Sequence, residues 1–245
     1  MSVRIKVFCK IDGNDIPLVT TGTSPFLGAG QFGLKAYEWR ERFLNNTNAM
    51  VEILEAAYEA GARGIEAVPL GNIMEAARIM VETHNDYVIT ASSAPGRHKD
   101  SIIELINSGA ELIFLHGMVS DSRGKKIQKL LEIISSNGVI PGIATHEPLP
   151  TIRYCMENSL NVKAFLIPFN SKGMMMGNAR ELVDLVDNTK QYSFIGMKTL
   201  GAGRITPKEA FEYISQHNIC SISVGMISTQ QAEESTRIAL ELLKK

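Results

Sequence analysis

The chain of 245 residues is 44% hydrophobic and 21% charged, and its formal net charge is −1. This composition predicts one domain over residues 1–245 with one large core, and the charge gives no reason to expect a nucleic acid or an acidic membrane as a partner. The three cysteines, Cys9, Cys155 and Cys220, lack metal-ligand spacing, which favours reduced thiols and a cytoplasmic location. No apolar run reaches transmembrane length, and the opening residues do not resemble a signal peptide.

The first twenty residues predict a two-stranded hairpin that precedes the main pattern. Its strands are expected at Val3 to Phe8 and at Ile16 to Thr20, joined across Asp12-Gly13-Asn14. A first barrel strand follows near 18–23. The Gly-punctuated segment 24–33 comes next, and it is too long for a plain connector, so it is a candidate lid or binding loop.

From residue 47 onward, helices alternate with short, nearly continuous apolar strands, as expected for strands that are buried on both faces. The predicted strands are 64–68, 87–91, 111–115, 139–144, 162–168, 192–198 and 219–224. The predicted helices are 47–60, 72–83, 99–108, 123–136, 150–159, 179–188 and two that begin near Thr206 and Ser228. Eight such pairs in a chain of this length predict a closed (β/α)8 TIM barrel. An open doubly wound sheet is the alternative, but the usual G-x-G-x-x-G turn after its first strand is absent.

In such a barrel, the side chains at the carboxyl ends of the strands converge on one mouth. Glu66 and Lys198 lie within apolar strand sequence, where a charge needs a partner, so they predict either a structural ion pair or a catalytic pair. His116 ends a strand in Leu-His-Gly, which favours a site role. His146 is equally consistent with a site role and with capping of the next helix. His84, His98 and His217 fall on helices or their edges and are expected to be solvated.

Two glycine turns after the last two strands predict a binding site for an anion. Gly201, Gly203 and Arg204 precede a helix that opens with Thr206-Pro207, and Gly225-Met226 precedes a helix with a capping box from Ser228 to Gln231. Backbone N–H groups and the helix dipole favour a negative group at such positions. Phosphate is often bound there in barrels of this kind.

The segment Gly196 to Ile205, GMKTLGAGRI, together with Val224-Gly225-Met226, resembles the C-terminal third of aldo-keto reductases. Leu115-His116-Gly117 is similar to the family's motif that carries its catalytic His. The resemblance implies a (β/α)8 barrel with a basal hairpin and an NADP-dependent oxidoreductase activity. It also implies that Gly201 to Arg204 and Gly225 to Ser228 hold the NADP phosphates, that Asn170 lies near the nicotinamide, and that His116 polarises the carbonyl group.

The same comparison reveals departures from the family's pattern. Glu66 stands where the family has a catalytic Asp, no Tyr follows it, and Ser92-Ser93 replaces the family's Lys. Ser235 replaces an Asn that contacts adenine. Hydride transfer to a carbonyl group needs an acid that delivers the proton, and these departures leave that acid unassigned.

Three other functions are compatible with the residues at the mouth. A lyase, aldolase or isomerase would bind a phosphorylated small molecule at the anion site and use Lys198, Glu66, His116 and His146, with Lys198 able to form a Schiff base. A metal-dependent variant would use Glu66, His116 and His146 as ligands. The last is a non-catalytic barrel that binds a nucleotide or phosphate. All of them predict a small-molecule ligand.

Overall fold

The computed structural model describes residues 7–243, and it contains an N-terminal hairpin followed by a closed barrel of eight parallel strands. The hairpin strands are β1 (Phe8–Ile11) and β2 (Asn14–Pro17). The barrel strands are β3 (Val19–Gly22), β4 (Gly64–Ala67), β5 (Val88–Ser92), β6 (Leu112–Leu115), β7 (Ile140–Ala144), β8 (Ala164–Pro168), β9 (Ser193–Met197) and β10 (Ser221–Gly225). Because β10 pairs with β3 in parallel, the barrel closes, and the predicted (β/α)8 fold is confirmed.

The hairpin is confirmed, but the predicted bounds of its second strand, Ile16 to Thr20, were wrong. Asp12 and Gly13 both have positive φ, at 50° and 85°, so they form a two-residue turn that pairs Ile11 with Asn14. In the described part of the chain the first strand runs from Phe8 to Ile11, and most of the predicted strand Val3 to Phe8 lies outside the described residues. The second strand ends at Pro17, before the barrel strand begins at Val19.

Ten helices occur in the described part of the chain: α1 (Lys35–Phe43), α2 (Thr47–Glu59), α3 (Ile73–Thr83), α4 (His98–Asn107), α5 (Gly117–Ser120), α6 (Lys126–Ser136), α7 (Pro148–Glu157), α8 (Ala179–Asn188), α9 (Pro207–Ser215) and α10 (Thr229–Leu242). The predicted caps are present, since Thr206 accepts from the Glu209 N–H and Ser228 from the Gln231 N–H. The helix predicted at 123–136 begins only at Lys126, because Arg123 has a φ of 49°.

The segment that follows β3 is more structured than predicted. It forms turns, a short 3-10 helix at Gly30–Phe32, and then α1, which the sequence pattern did not reveal. Helix α1 has one fully buried side chain, Phe43, whose ring lies 4.9 Å from that of Phe26. A helix with so narrow a buried face lacks the apolar periodicity that sequence analysis detects.

Inward-facing strand residues fill the lower part of the barrel. Leu112, Phe114, Ile140 and Leu166 form one buried cluster with Ile11 and Ile16, which the hairpin supplies. Residues that alternate with them, such as Ile113 and Phe165, belong to the larger core that includes the helices. The hairpin thus closes the base of the barrel, and the polar side chains lie at the opposite end.

Two further expectations concern the whole chain. Within residues 7–243, no helix is long and apolar enough to cross a membrane. Among these described residues, Cys9, Cys155 and Cys220 form no disulfide bond. The cytoplasmic location inferred from them stays a prediction.

Candidate active site

A cavity of about 910 Å³ opens at the carboxyl ends of the barrel strands. Glu66 and Lys198 line it at the barrel mouth. From there it runs along the turn after β9 to the first turns of α9 and α10, and its other wall comes from the segment before and within α1. That wall contains Gln31, Phe32, Leu34, Lys35 and Trp39.

Glu66 is a buried carboxyl group, with only 7% of its surface exposed. The Ser92 hydroxyl donates a hydrogen bond of 2.7 Å to Glu66 Oε1, and among the described residues nothing donates to Oε2. Burial raises the pKa of Glu66 to about 7, although the hydrogen bond from Ser92 and the charge of Lys198 oppose the rise. The carboxyl group is therefore partly protonated near neutral pH and can act as an acid.

Lys198 follows β9 directly and has a left-handed backbone with a φ of 55°. Its Nζ donates a hydrogen bond to the side-chain oxygen of Gln31. Burial lowers the pKa of Lys198, and the nearby Glu66 opposes this change. In the described part of the chain no salt bridge joins Lys198 to a carboxylate. The two groups thus influence each other across the cavity without forming the ion pair considered above.

His116 forms the N-cap of the short helix α5. Its Nδ1 accepts a hydrogen bond of 3.2 Å from the Met118 N–H, so in the neutral ring the proton must lie on Nε2. The pKa of His116 is lowered to about 4, chiefly by burial and then by His146, His98 and Lys198, while Asp121 opposes the change. At neutral pH this side chain is an uncharged imidazole with an N–H donor.

His146 lies beside His116, with 6.0 Å between the ring centroids, and Asp121 organises the loop that carries it. Asp121 accepts from the His146 backbone N–H at 3.0 Å and from the hydroxyls of Thr151 and Thr145. The pKa of His146 is lowered, chiefly by burial and then by Lys198. Gly117 allows the His146 ring to pack closely against the backbone, because a Cβ at residue 117 would lie 2.7 Å from His146 Nδ1.

Two residues of this cluster were missed by sequence reasoning. His98 was predicted to be solvated, but it is half-buried, and its Nδ1 lies 3.0 Å from the Ser93 hydroxyl, which also accepts from the His116 N–H at 3.1 Å. Asp121 was not singled out at all. Its position at the end of α5 could have suggested a link to the strand-end residues, but only the folded chain brings it against the loop after β7.

The turn after β9 differs in detail from the predicted anion site. The backbone N–H groups of Gly201, Gly203, Arg204 and Ile205 all donate to carbonyl groups within the turn, so they are not available to a ligand. The Arg204 side chain is exposed, lines the cavity and makes no salt bridge or hydrogen bond with another described residue. The first turn of α9, with Thr206 and Pro207, also lines the cavity. An anion would thus be held mainly by the guanidinium group and the helix N-terminus.

Other predicted binding residues divide into those that line the cavity and those that shape its loops. Gly203, Arg204 and Gly225 line it. Gly201 is buried, as is Met226, and the Ser228 hydroxyl caps α10. Asn170 is 1% exposed, and its side-chain amide donates to Met174 O and accepts from Met174 N–H, so it stabilises its own loop.

Residues 7–243 contain no set of ligands for the metal-dependent alternative. No group of three His, Cys, Asp or Glu side chains there is arranged to hold a metal ion. Glu66, His116 and His146 therefore do not form such a group. The two histidines are neighbours, with 6.0 Å between their ring centroids, and Glu66 lines the cavity with Lys198.

Solved structures with the same architecture come from the aldo-keto reductases. A Pseudomonas aeruginosa protein described as an aldo-keto reductase superimposes with a TM-score of 0.73 at 15% identity, over 98% of this chain and 97% of that one. An aldo/keto reductase from Brucella melitensis gives 0.64 at 14% identity, over 97% and 94%. The protein Gox0644, solved in complex with NADPH, gives 0.63 at 12% identity, over 97% and 93%.

These similarities show that this chain has the fold of aldo-keto reductases, as the sequence resemblance implied. Neither a protein-family model nor a curated protein matches the sequence. The roles of the residues that depart from the family's pattern therefore rest on the geometry of this chain.

Proposed function

We propose that this protein is an NADPH-dependent oxidoreductase that reduces the carbonyl group of a small molecule. One observation carries the proposal: a buried acid, Glu66, and an N–H donor, Lys198, stand at the mouth end of a cavity that continues to Arg204, whose side chain has no partner among residues 7–243. The neutral His116 is close enough to Lys198 for that charge to lower its pKa. The fold shared with aldo-keto reductases, including one solved with NADPH, supports the same conclusion.

The cavity has the chemistry that a dinucleotide requires. Arg204 and the first turn of α9 would hold the pyrophosphate, and the first turns of α10, with Gln231, would lie along the adenosine. Gly225 lets Pro25 pack against the end of β10 at the edge of this cavity, because a Cβ there would lie 2.7 Å from Pro25 Cγ. When bound, NADPH would supply the hydride to the carbonyl carbon.

The proton for the carbonyl oxygen would come from Glu66, which takes the role that a Tyr has in the family. Its pKa of about 7 suits an acid that works near neutral pH. Lys198 Nζ and His116 Nε2 would donate hydrogen bonds to the same oxygen and stabilise the negative charge that develops on it. Glu66 is buried and Lys198 and His116 are half-buried, which strengthens these interactions.

The test is a titration with NADPH, followed by turnover assays with small aldehydes and ketones. We expect NADPH to bind and the Glu66→Gln variant to lose at least about a hundredfold in kcat with little change in NADPH affinity, since general acid catalysis contributes about 10²–10⁴. Glu234→Gln, which changes another carboxylate that lines the same cavity, is the matched control and should retain activity. Absence of NADPH binding at millimolar concentration would refute the proposal.

The lyase or isomerase alternative differs in what Arg204 binds. There it would hold the phosphate of the substrate instead of a cofactor. Turnover of a phosphorylated aldehyde without any nicotinamide cofactor, together with competition by inorganic phosphate, would favour this alternative. Binding of NADPH that persists when Lys198 and His116 are each changed to alanine, with no turnover by the unchanged protein, would favour a non-catalytic barrel.

A further inference from the structure

The environment of Lys198 suits a chemistry that reduction does not use. We propose that Lys198 is a nucleophilic amine that forms a covalent imine with a small aldehyde or ketone in the cavity. This activity needs no nicotinamide cofactor, so it goes beyond the reductase function.

The polar contacts of Lys198 favour an uncharged amine. Within residues 7–243, the Nζ has one hydrogen-bond partner, the neutral amide of Gln31, and no carboxylate in a salt bridge. Lysines such as Lys163 and Lys208 instead pair with carboxylates on exposed surface. A half-buried ammonium group without a counterion is disfavoured, and the pKa of Lys198 is accordingly lowered.

The cavity gives the amine access to a substrate. Lys198 lines the open space of about 910 Å³ together with Phe32 and Trp39, whose rings lie 4.8 Å apart. These rings form an apolar wall on the other side of the space. A carbonyl compound could therefore be partly desolvated beside the Nζ, which favours attack by the amine.

Glu66 completes the chemistry, because imine formation requires an acid and a base in turn. The Nζ lone pair forms a bond to the carbonyl carbon while the C=O π bond breaks and the oxygen takes the Glu66 proton. The Glu66 carboxylate then removes a proton from the attacking nitrogen and returns it to the hydroxyl group, which leaves as water as the C=N bond forms. The nitrogen keeps its remaining proton, so an amine and a carbonyl compound give a protonated imine and water beside the Glu66 carboxylate, with no oxidant or reductant.

Protonation of the imine would make the neighbouring C–H and C–C bonds easier to break, since the iminium group accepts the electron pair. The class of reaction that follows is proton exchange or carbon–carbon cleavage next to the carbonyl carbon. The neutral His146 and His116, with ring centroids 6.0 Å apart, are the nearby groups that could receive a proton.

The experiment is reductive trapping at pH 7 with propanal and cyanoborohydride, in the absence of NADPH, followed by peptide mapping. We expect one adduct per chain, at Lys198, because burial lowers the pKa of this amine and so raises its uncharged fraction at pH 7, and because Lys198 lines the cavity. Glu66→Gln should slow trapping about tenfold or more. Lys172→Arg is the matched control, because Lys172 lies in the neighbouring loop and donates to Arg204 O.

Lys198→Arg should abolish the adduct while keeping a cationic side chain, and circular dichroism checks that it folds. Equal labelling of many lysines, or trapping that spares Lys198 in the unchanged protein, would overturn the proposal. The result is separate from the reductase test. Trapping without NADPH binding would support the imine alone, and NADPH turnover without trapping at Lys198 would support the reductase alone.

Discussion

Replacement of Glu66 by Gln tests the central feature of the site through protein stability, independently of any substrate. Glu66 is 7% exposed, and its ionised form must be kept in that buried position above its pKa. Gln has nearly the same shape, can still accept the Ser92 hydrogen bond of 2.7 Å, and never ionises. The substitution therefore removes only the cost of burying the charge.

The sign and size of the effect follow from the pKa. In the folded state the pKa of Glu66 is raised from 4.5 to about 7, so the folded protein holds a proton that the unfolded chain has lost. Stability is then lost as the pH rises from about 4.5 to about 7 and is constant above that range. At about 1.4 kcal/mol for each pH unit, the loss in the unchanged protein is about 3 kcal/mol.

The measurement is the free energy of unfolding in urea at a series of pH values from 4 to 8. We expect the Glu66→Gln variant to gain about 3 kcal/mol relative to the unchanged protein between the two ends of the series. Glu234→Gln, in the same cavity, should follow the unchanged protein. Parallel curves for the Glu66→Gln variant and the unchanged protein would refute the assignment of a raised pKa to this carboxyl group.

Three further predictions concern other parts of the cavity. NMR titration of the His116 ring should give a midpoint near 4, because burial lowers its pKa, and a midpoint near 6.5 would show that the ring is solvated. Arg204→Ala should weaken NADPH binding by about tenfold or more, since a hydrogen bond to a charged group contributes about 1.5–3 kcal/mol. Unchanged affinity would exclude Arg204 from the site. Arg237→Ala is the surface control, because Arg237 pairs with Glu233 on the exposed face of α10. Trp39 is the only tryptophan and lines the cavity, so NADPH should quench its fluorescence. Unaltered emission at saturating NADPH would contradict this position of the cofactor.

Much of the architecture could be predicted because its determinants are local in sequence. Short apolar runs predicted the barrel strands, and a side chain such as Thr206 or Ser228 marks a helix start by bonding to an N–H only three residues away. Parallel strands in a closed barrel all point their carboxyl ends to one side. That rule alone was enough to bring Glu66 and Lys198 to a common mouth.

The details that decide the chemistry depend on contacts between distant parts of the chain. Gln31 holds Lys198 across a separation of 167 residues, and Asp121 reaches Thr145 across 24. No sequence period encodes such pairs, because they form only once strands and loops have packed. The role of Asn170 was also not visible in the sequence, because only the folded loop shows that its side-chain amide bonds to the Met174 backbone.

The sequence by itself determined the order of strands and helices, the closed barrel and the end at which polar residues gather, since these follow from the spacing of apolar residues and from capping groups. Only the tertiary structure decided which of those residues are buried, which keep a free polar atom and which are satisfied by a neighbour. The physical reason is desolvation. The pKa values of Glu66, His116 and Lys198 depend on how completely the folded chain excludes water from each group.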